Sequence, residues 1–193
     1  MNIGIFCGSR LGSHSQYAED AKILAQLMTQ QQHQLIYGGG SVGLMGILAD
    51  EMIKYGGKVI GVLPRFFNAE AVGHNQISEM ILVDNMSERK MKMASISEAF
   101  IALPGGFGTL DELFEMLTLS QLQIHEKPVG LLNTNNFFEP LILQLKKMVS
   151  DGFLFDKHYN MLIIDSSPLK LLDRIQNFQY QQDNDWINKI KNK

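Results

Sequence analysis

Short runs of Val, Ile, Leu and Phe alternate along the chain with longer stretches in which apolar positions recur every three or four residues. The first pattern is that of a strand buried on both faces, and the second is that of a helix with one apolar stripe. Seven runs, at 3–7, 34–37, 58–63, 80–83, 99–103, 128–132 and 161–164, are read as strands. Helices are predicted over 15–31, 43–55, 86–98, 109–124, 137–150 and 168–177. Gly56-Gly57 and Gly152 stand where helices should stop, and Ser167-Pro168 where one should start. Regular strand–helix alternation predicts an α/β fold, a Rossmann-like, doubly wound, mostly parallel sheet of about seven strands with helices on both faces. Residues 1–180 are expected to form a single α/β domain. Residues 181–193 read as a polar C-terminal tail, a frayed end or a weak docking segment, with Trp186, Ile187 and Ile190 its apolar residues.

Composition narrows the function classes. A chain of 193 residues, 45% hydrophobic and 19% charged, has the size and apolar content of one globular domain. A net charge of −3 lacks the basic surface that a phosphate backbone demands, so a nucleic-acid partner is not expected. One cysteine cannot close an internal disulfide, and the opening MNIGIFCGSR has no basic flank or long apolar run of a signal peptide. A reducing, cytoplasmic setting is expected. Nothing approaches the roughly 20 apolar residues of a membrane span, so no membrane partner is expected either.

Ligands of doubly wound sheets bind at the carboxyl ends of the strands, and three turns there carry glycine. They are Cys7-Gly8-Ser9-Arg10, Gly38-Gly39-Gly40-Ser41-Val42-Gly43, and Pro104-Gly105-Gly106-Phe107-Gly108-Thr109. The second holds G-x-G-x-x-G as Gly38, Gly40 and Gly43 between a strand and a helix, the context of a nucleotide-phosphate loop, or of an unoccupied tight turn. The dinucleotide version needs a carboxylate near the end of the next strand. Here that strand ends Val62-Leu63-Pro64-Arg65, which suits a mononucleotide or sugar phosphate better. In the third turn, Thr109 and Glu112 have the spacing of a capping box, in which the glutamate only reaches back to a backbone N–H. The density of glycine beside a carboxylate at a strand end is more than capping requires.

The run PGGFGTLDE at 104–112 resembles the PGGxGTxxE motif of the Lonely Guy family, the cytokinin riboside 5′-monophosphate phosphoribohydrolases. FCGSR, YGGGSVGLMG, MSERKMKM and QLQIHEKPVGLLN resemble further parts of that family's pattern in the same order, over about 3–164. The resemblance implies hydrolysis of the N-glycosidic bond of AMP or an N6-substituted AMP, releasing the base and ribose 5-phosphate. It assigns catalysis to Glu112 and Arg89. Lys90, Gly105, Gly106, Phe107, Gly108, Thr109, Asp111 and Thr118 are implied substrate contacts, with Ser9, Gly40, Gly43, Met45 and Met86 lining the nucleotide from the other turns. The helix dipole is expected to favour an ionised Glu112, suited to stabilise charge or act as a base. Without the motif, Arg89 and Lys90 would read as a solvated helix face, and the methionines as core.

Family members are also labelled lysine decarboxylases, which implies pyridoxal phosphate. No lysine here stands in an evident aldimine setting, so neither that cofactor nor a metal is expected; His14, His33, His74, His125 and His158 lack metal-ligand spacing. Cys7, in an apolar strand, reads as a buried structural thiol. The plant pattern has a Pro-Arg-Glu triplet beyond the third strand, and its nearest counterpart here is Asn68-Ala69-Glu70. The resemblance implies at least a homodimer. The alternative is a binding module resembling the molybdenum-cofactor carriers, which share the PGGxGT loop without cleaving their ligand.

Overall fold

Strands buried on both faces must be covered on both, and the chain meets this by returning a helix after nearly every strand. The computed structural model describes residues 1–67 and 72–180. In chain order the elements are β1 (Asn2–Phe6), α1 (Ser15–Gln30), β2 (Gln34–Tyr37), α2 (Gly43–Lys54), β3 (Val59–Pro64), β4 (Glu79–Val83), α3 (Met86–Ile96), β5 (Ala99–Ala102), α4 (Phe107–Gln121), β6 (Val129–Leu132), α5 (Glu139–Ser150), α6 (Asp156–Tyr159), β7 (Leu162–Asp165) and α7 (Pro168–Gln176). The strands form one sheet in the order β4-β3-β2-β1-β5-β6-β7, and every pairing is parallel.

Alternate strand residues feed two cores. Ile3, Ile5, Leu35, Tyr37 and Ile101 pack under α1, α2 and α7. Phe6, Ile36, Val62, Phe100 and Ala102 pack under α3, α4 and α5. All seven expected strands are present within a residue or two. The sheet is wholly parallel among the described residues, where a mostly parallel one was expected. The helix expected over 137–150 begins later, at Glu139, after a 3-10 turn at Thr134–Asn136. In that turn Asn135 and Asn136 both take positive φ. The short helix α6 was not expected, because four residues are too few to show periodicity.

Strand order reverses at β1, which lies between β2 and β5. Side chains and backbone converge there, at the carboxyl edge. The amide of Gly8 donates to the carbonyl of Pro104 at 3.0 Å, joining the first and third glycine turns. The amide of Leu44 donates to the carbonyl of Gly8 at 3.0 Å, joining the second to the first. Gly43 makes that approach possible: its φ is +64°, and a Cβ there would run into the backbone of Ser9 and Arg10. Gly43→Ala is therefore expected to destabilise the protein by about 1–3 kcal/mol from the strained φ alone, with the backbone collision adding to it. Urea unfolding measures this, and an unchanged midpoint would contradict the close approach.

Candidate functional site

The helix that bears the basic pair is fixed by its own first turn. The Asn85 side chain accepts from the Glu88 amide at 2.9 Å, and a Glu88 carboxylate oxygen accepts from the Asp84 amide at 3.0 Å. This reciprocal cap pins the start of α3 at the carboxyl end of β4. Arg89, one residue on, then reaches over the end of β2. Its Nη2 lies 2.9 Å from Oε1 of Glu112 on α4, with the two side chains only 13% and 8% exposed. The ion pair is close but unaligned: Oε1 of Glu112 and Nε of Arg89 are buried without a hydrogen-bond partner among the described residues. Each therefore keeps hydrogen-bonding capacity. Burial is the largest influence on Glu112 and raises its pKa to about 7, against the opposing pull of Arg89. The helix dipole does not hold the carboxyl in the ordinary acid range, contrary to the expectation from sequence.

At the start of α4 the backbone is open. Gly106 is the N-cap, and no side chain caps the helix. A Cβ on Gly106 or Gly108 would meet nothing within 4 Å, and neither residue has positive φ. Their lack of side chains serves no packing need, and it leaves the first N–H groups of α4 accessible to an anion. The capping box fails for a simple reason. The helix begins at Phe107, so Thr109 is already inside it, and Glu112 turns to Arg89 instead. Beside this N-terminus lies a cleft of ≈ 350 Å³, whose walls include Ser9, Arg10, Tyr17, Gly105, Gly106 and Phe137.

A sequence family described as "Possible lysine decarboxylase" matches residues 45–175. A probable cytokinin riboside 5′-monophosphate phosphoribohydrolase of Oryza sativa subsp. japonica is 39% identical over 91% of this chain and 79% of its own length. A cytokinin riboside 5′-monophosphate phosphoribohydrolase of Arabidopsis thaliana is 37% identical over 97% of this chain and 88% of its own. The chain belongs to the Lonely Guy family. Among solved structures, the molybdenum cofactor binding protein of Rippkaea orientalis shares the fold, with a TM-score of 0.70, 24% identity, and coverage of 91% of this chain and 95% of that one. The carrier protein from Chlamydomonas reinhardtii does likewise, at 0.69 and 20%, with the same two coverages.

The residues picked out by the Lonely Guy motifs fall into two groups. Arg89, Glu112, Met45, Met86, Ser9, Gly40, Gly43, Gly105 and Thr109 gather along the carboxyl edge. The Met86 thioether lies 3.8 Å from Nη1 of Arg89, and Met45 sits over Gly38 and Gly40. Gly105 has no room for a side chain, because a Cβ there would strike Thr109. Lys90, Asp111 and Thr118 lie instead on the outer faces of α3 and α4, around a shallow pocket of ≈ 290 Å³. There Lys90 Nζ holds Asp111 at 3.0 Å and Glu115 at 3.1 Å, while the Thr118 hydroxyl donates to the Phe114 carbonyl at 2.7 Å. Phe107 turns its ring to solvent, 94% exposed. Asn68, Ala69 and Glu70 lie outside the described residues.

Sequence reasoning named Gly38 only as the first glycine of G-x-G-x-x-G, without a relation to Arg89, and did not pick out the Asn85–Glu88 cap. The cap was signalled by its N-x-x-E spacing, but nothing local links Gly38 to Arg89. His74 is buried and bonds Asp50 at 3.0 Å. The groups facing Glu112 are Arg89 and Lys90 from α3, Asp111 and Glu115 from α4, and Cys7 beyond β1. Carboxyl-carbon NMR should place the titration of Glu112 near pH 7. Arg89→Ala should move it higher, since the guanidinium favours the ionised form; movement downward would contradict the pairing.

Proposed function

We propose that this protein hydrolyses the N-glycosidic bond of AMP or an N6-substituted AMP, giving free base and ribose 5-phosphate. The observation that carries the reading is the buried Arg89–Glu112 pair beside the uncapped N-terminus of α4. At a rise of 1.5 Å per residue, Glu112 stands roughly 8 Å along the axis from Phe107. A phosphate seated on the amides of Phe107, Gly108 and Thr109 would present its ribose to the carboxylate. Ser9 and Gly105 would border the sugar phosphate, and Met45 and Met86 the base.

As the C1′–N bond lengthens, positive charge develops on C1′ and the ring oxygen. The Glu112 carboxylate stabilises that charge and accepts a proton from the attacking water, whose oxygen bonds to C1′. The proton then passes to the departing base, so water is the only co-reactant. Arg89, with Nε unspent, can hold a ribose or phosphate oxygen by a charge-assisted hydrogen bond. A carboxyl group that titrates near 7 suits this role, because its base form is available at neutral pH without being too weak to take a proton. The names of the relatives support the same chemistry. A single cysteine, buried, accords with a reducing, cytoplasmic setting, and no helix among the described residues is long and apolar enough to cross a membrane.

Incubation with AMP and with isopentenyl-AMP should release free base and ribose 5-phosphate, read by chromatography. No release from either would overturn the reading in favour of a carrier that binds without cleaving. Glu112→Gln should lower kcat by about 100- to 1,000-fold while AMP binding survives. Activity of the parent should fall as pH drops through about 7, because protonation removes the base form of Glu112. Two copies are further proposed to meet through the outer faces of α3 and α4, where Met91 on α3 and Leu122 and Ile124 just past the end of α4 are exposed. Light scattering should give a dimer or larger mass, and a monomer would overturn this.

A further inference from the structure

We infer that Gly38 is a positioning residue for the reaction: its missing side chain is the space in which the Arg89 guanidinium reaches Glu112. The inference rests on the proposed function only where it concerns turnover. A Cβ built on Gly38 collides with Nη2 of Arg89, the nitrogen that faces Glu112, and lies 3.3 Å from Cζ. The next atom it meets is Sδ of Met45, at 3.4 Å, an ordinary contact.

Backbone conformation does not explain the glycine. Gly38 is absent from the positive-φ residues, whereas its neighbour Gly39 has φ +78°. An alanine at 38 could keep the same backbone, and what it would displace is the far end of a flexible side chain. The fold then loses little, while the guanidinium loses its place. On one side the Met86 thioether lies against Nη1, and on the other the end of β2 closes against Nη2. Between them the planar group is held with Nη2 facing the carboxylate, 2.9 Å from Oε1 of Glu112.

The test is a double-mutant cycle on the full chain, with Gly38→Ala, Arg89→Ala and both together. Three readouts are needed: thermal melting, the NMR titration of Glu112, and kcat/KM for AMP. Gly38→Ala should stay folded and move the Glu112 midpoint upward, toward its position in Arg89→Ala. The other titratable groups near Glu112, which are Lys90, Asp111, Glu115 and Cys7, are untouched by the substitution and do not account for such a shift. It should also lower kcat/KM about 10- to 100-fold, the scale of a misplaced catalytic group. In the Arg89→Ala background the same change should have no further effect, because the colliding group has gone.

A parental midpoint in folded Gly38→Ala, or additive losses in the double variant, would overturn the inference. Failure of the double variant to fold where Arg89→Ala alone folds would do the same, since it would show that Gly38 serves the backbone. Unfolding of the single variant alone, repaired by Arg89→Ala, would support the steric coupling. If the midpoint moves but no variant or parent releases base, the positioning stands and the proposed reaction fails.

Discussion

Two opposite charges are held together out of water, and the rest of the site follows from that. A carboxyl group as buried as Glu112 is driven toward its neutral form, and the adjacent guanidinium pulls it partway back. The outcome is a group poised near neutrality instead of one locked in either state. Removing one partner would strand the other, which in a buried pair is more damaging than never having had the pair. The missing alignment of the contact matters as well. A fully satisfied, bidentate salt bridge would leave nothing with which to meet a substrate.

The topology explains how residues 23 positions apart come into contact. β4 is the outermost strand on one side of the sheet, and β5 lies beyond β1. The connecting helix α3 must therefore travel back across β3, β2 and β1, and it packs against all three. Its first turn passes over the end of β2, where Gly38 stands, before the chain enters β5 and emerges at the third glycine turn. The crossover that reverses strand order thus carries Arg89 to Glu112. The hydrogen bonds from Gly8 to Pro104 and from Leu44 to Gly8 hold the three turns at fixed separation, so the pair rests on a rigid edge.

Much of this is legible in the sequence. Strands buried on both faces leave continuous apolar runs, and glycine turns announce the carboxyl edge, so sheet and ligand-binding end could both be read. The joint assignment of Arg89 and Glu112 to catalysis came from resemblance, and their direct contact was not read, because no local pattern links a helix start to a residue on the next helix. Adjacent residues misled where helical geometry separates them. Lys90 is turned about 100° from Arg89, and Asp111 as far from Glu112, which puts that second pair on the outer surface. The capping box misled because T-x-x-E is satisfied locally, while the helix had already begun two residues earlier at Phe107. Gly38 was legible only as the first glycine of a phosphate-loop pattern, not as the neighbour of Arg89. Its meaning lies in an atom 51 positions away in the chain.

Cys7 shows why the charge balance stays simple. It is buried at the end of β1, near enough to feel both members of the pair. Burial pushes the thiol well above its ordinary range, repulsion from Glu112 adds to this, and Arg89 acts in the opposite sense. The sulfur therefore remains a neutral thiol at any pH at which Glu112 titrates. A thiolate in its place would compete for the same guanidinium and push the carboxyl further toward its protonated form, in which it could not serve as the proposed base. A small, polarizable, uncharged group fills the floor of the site without this competition. Among the described residues, the buried negative charge that meets the guanidinium is then that of Glu112.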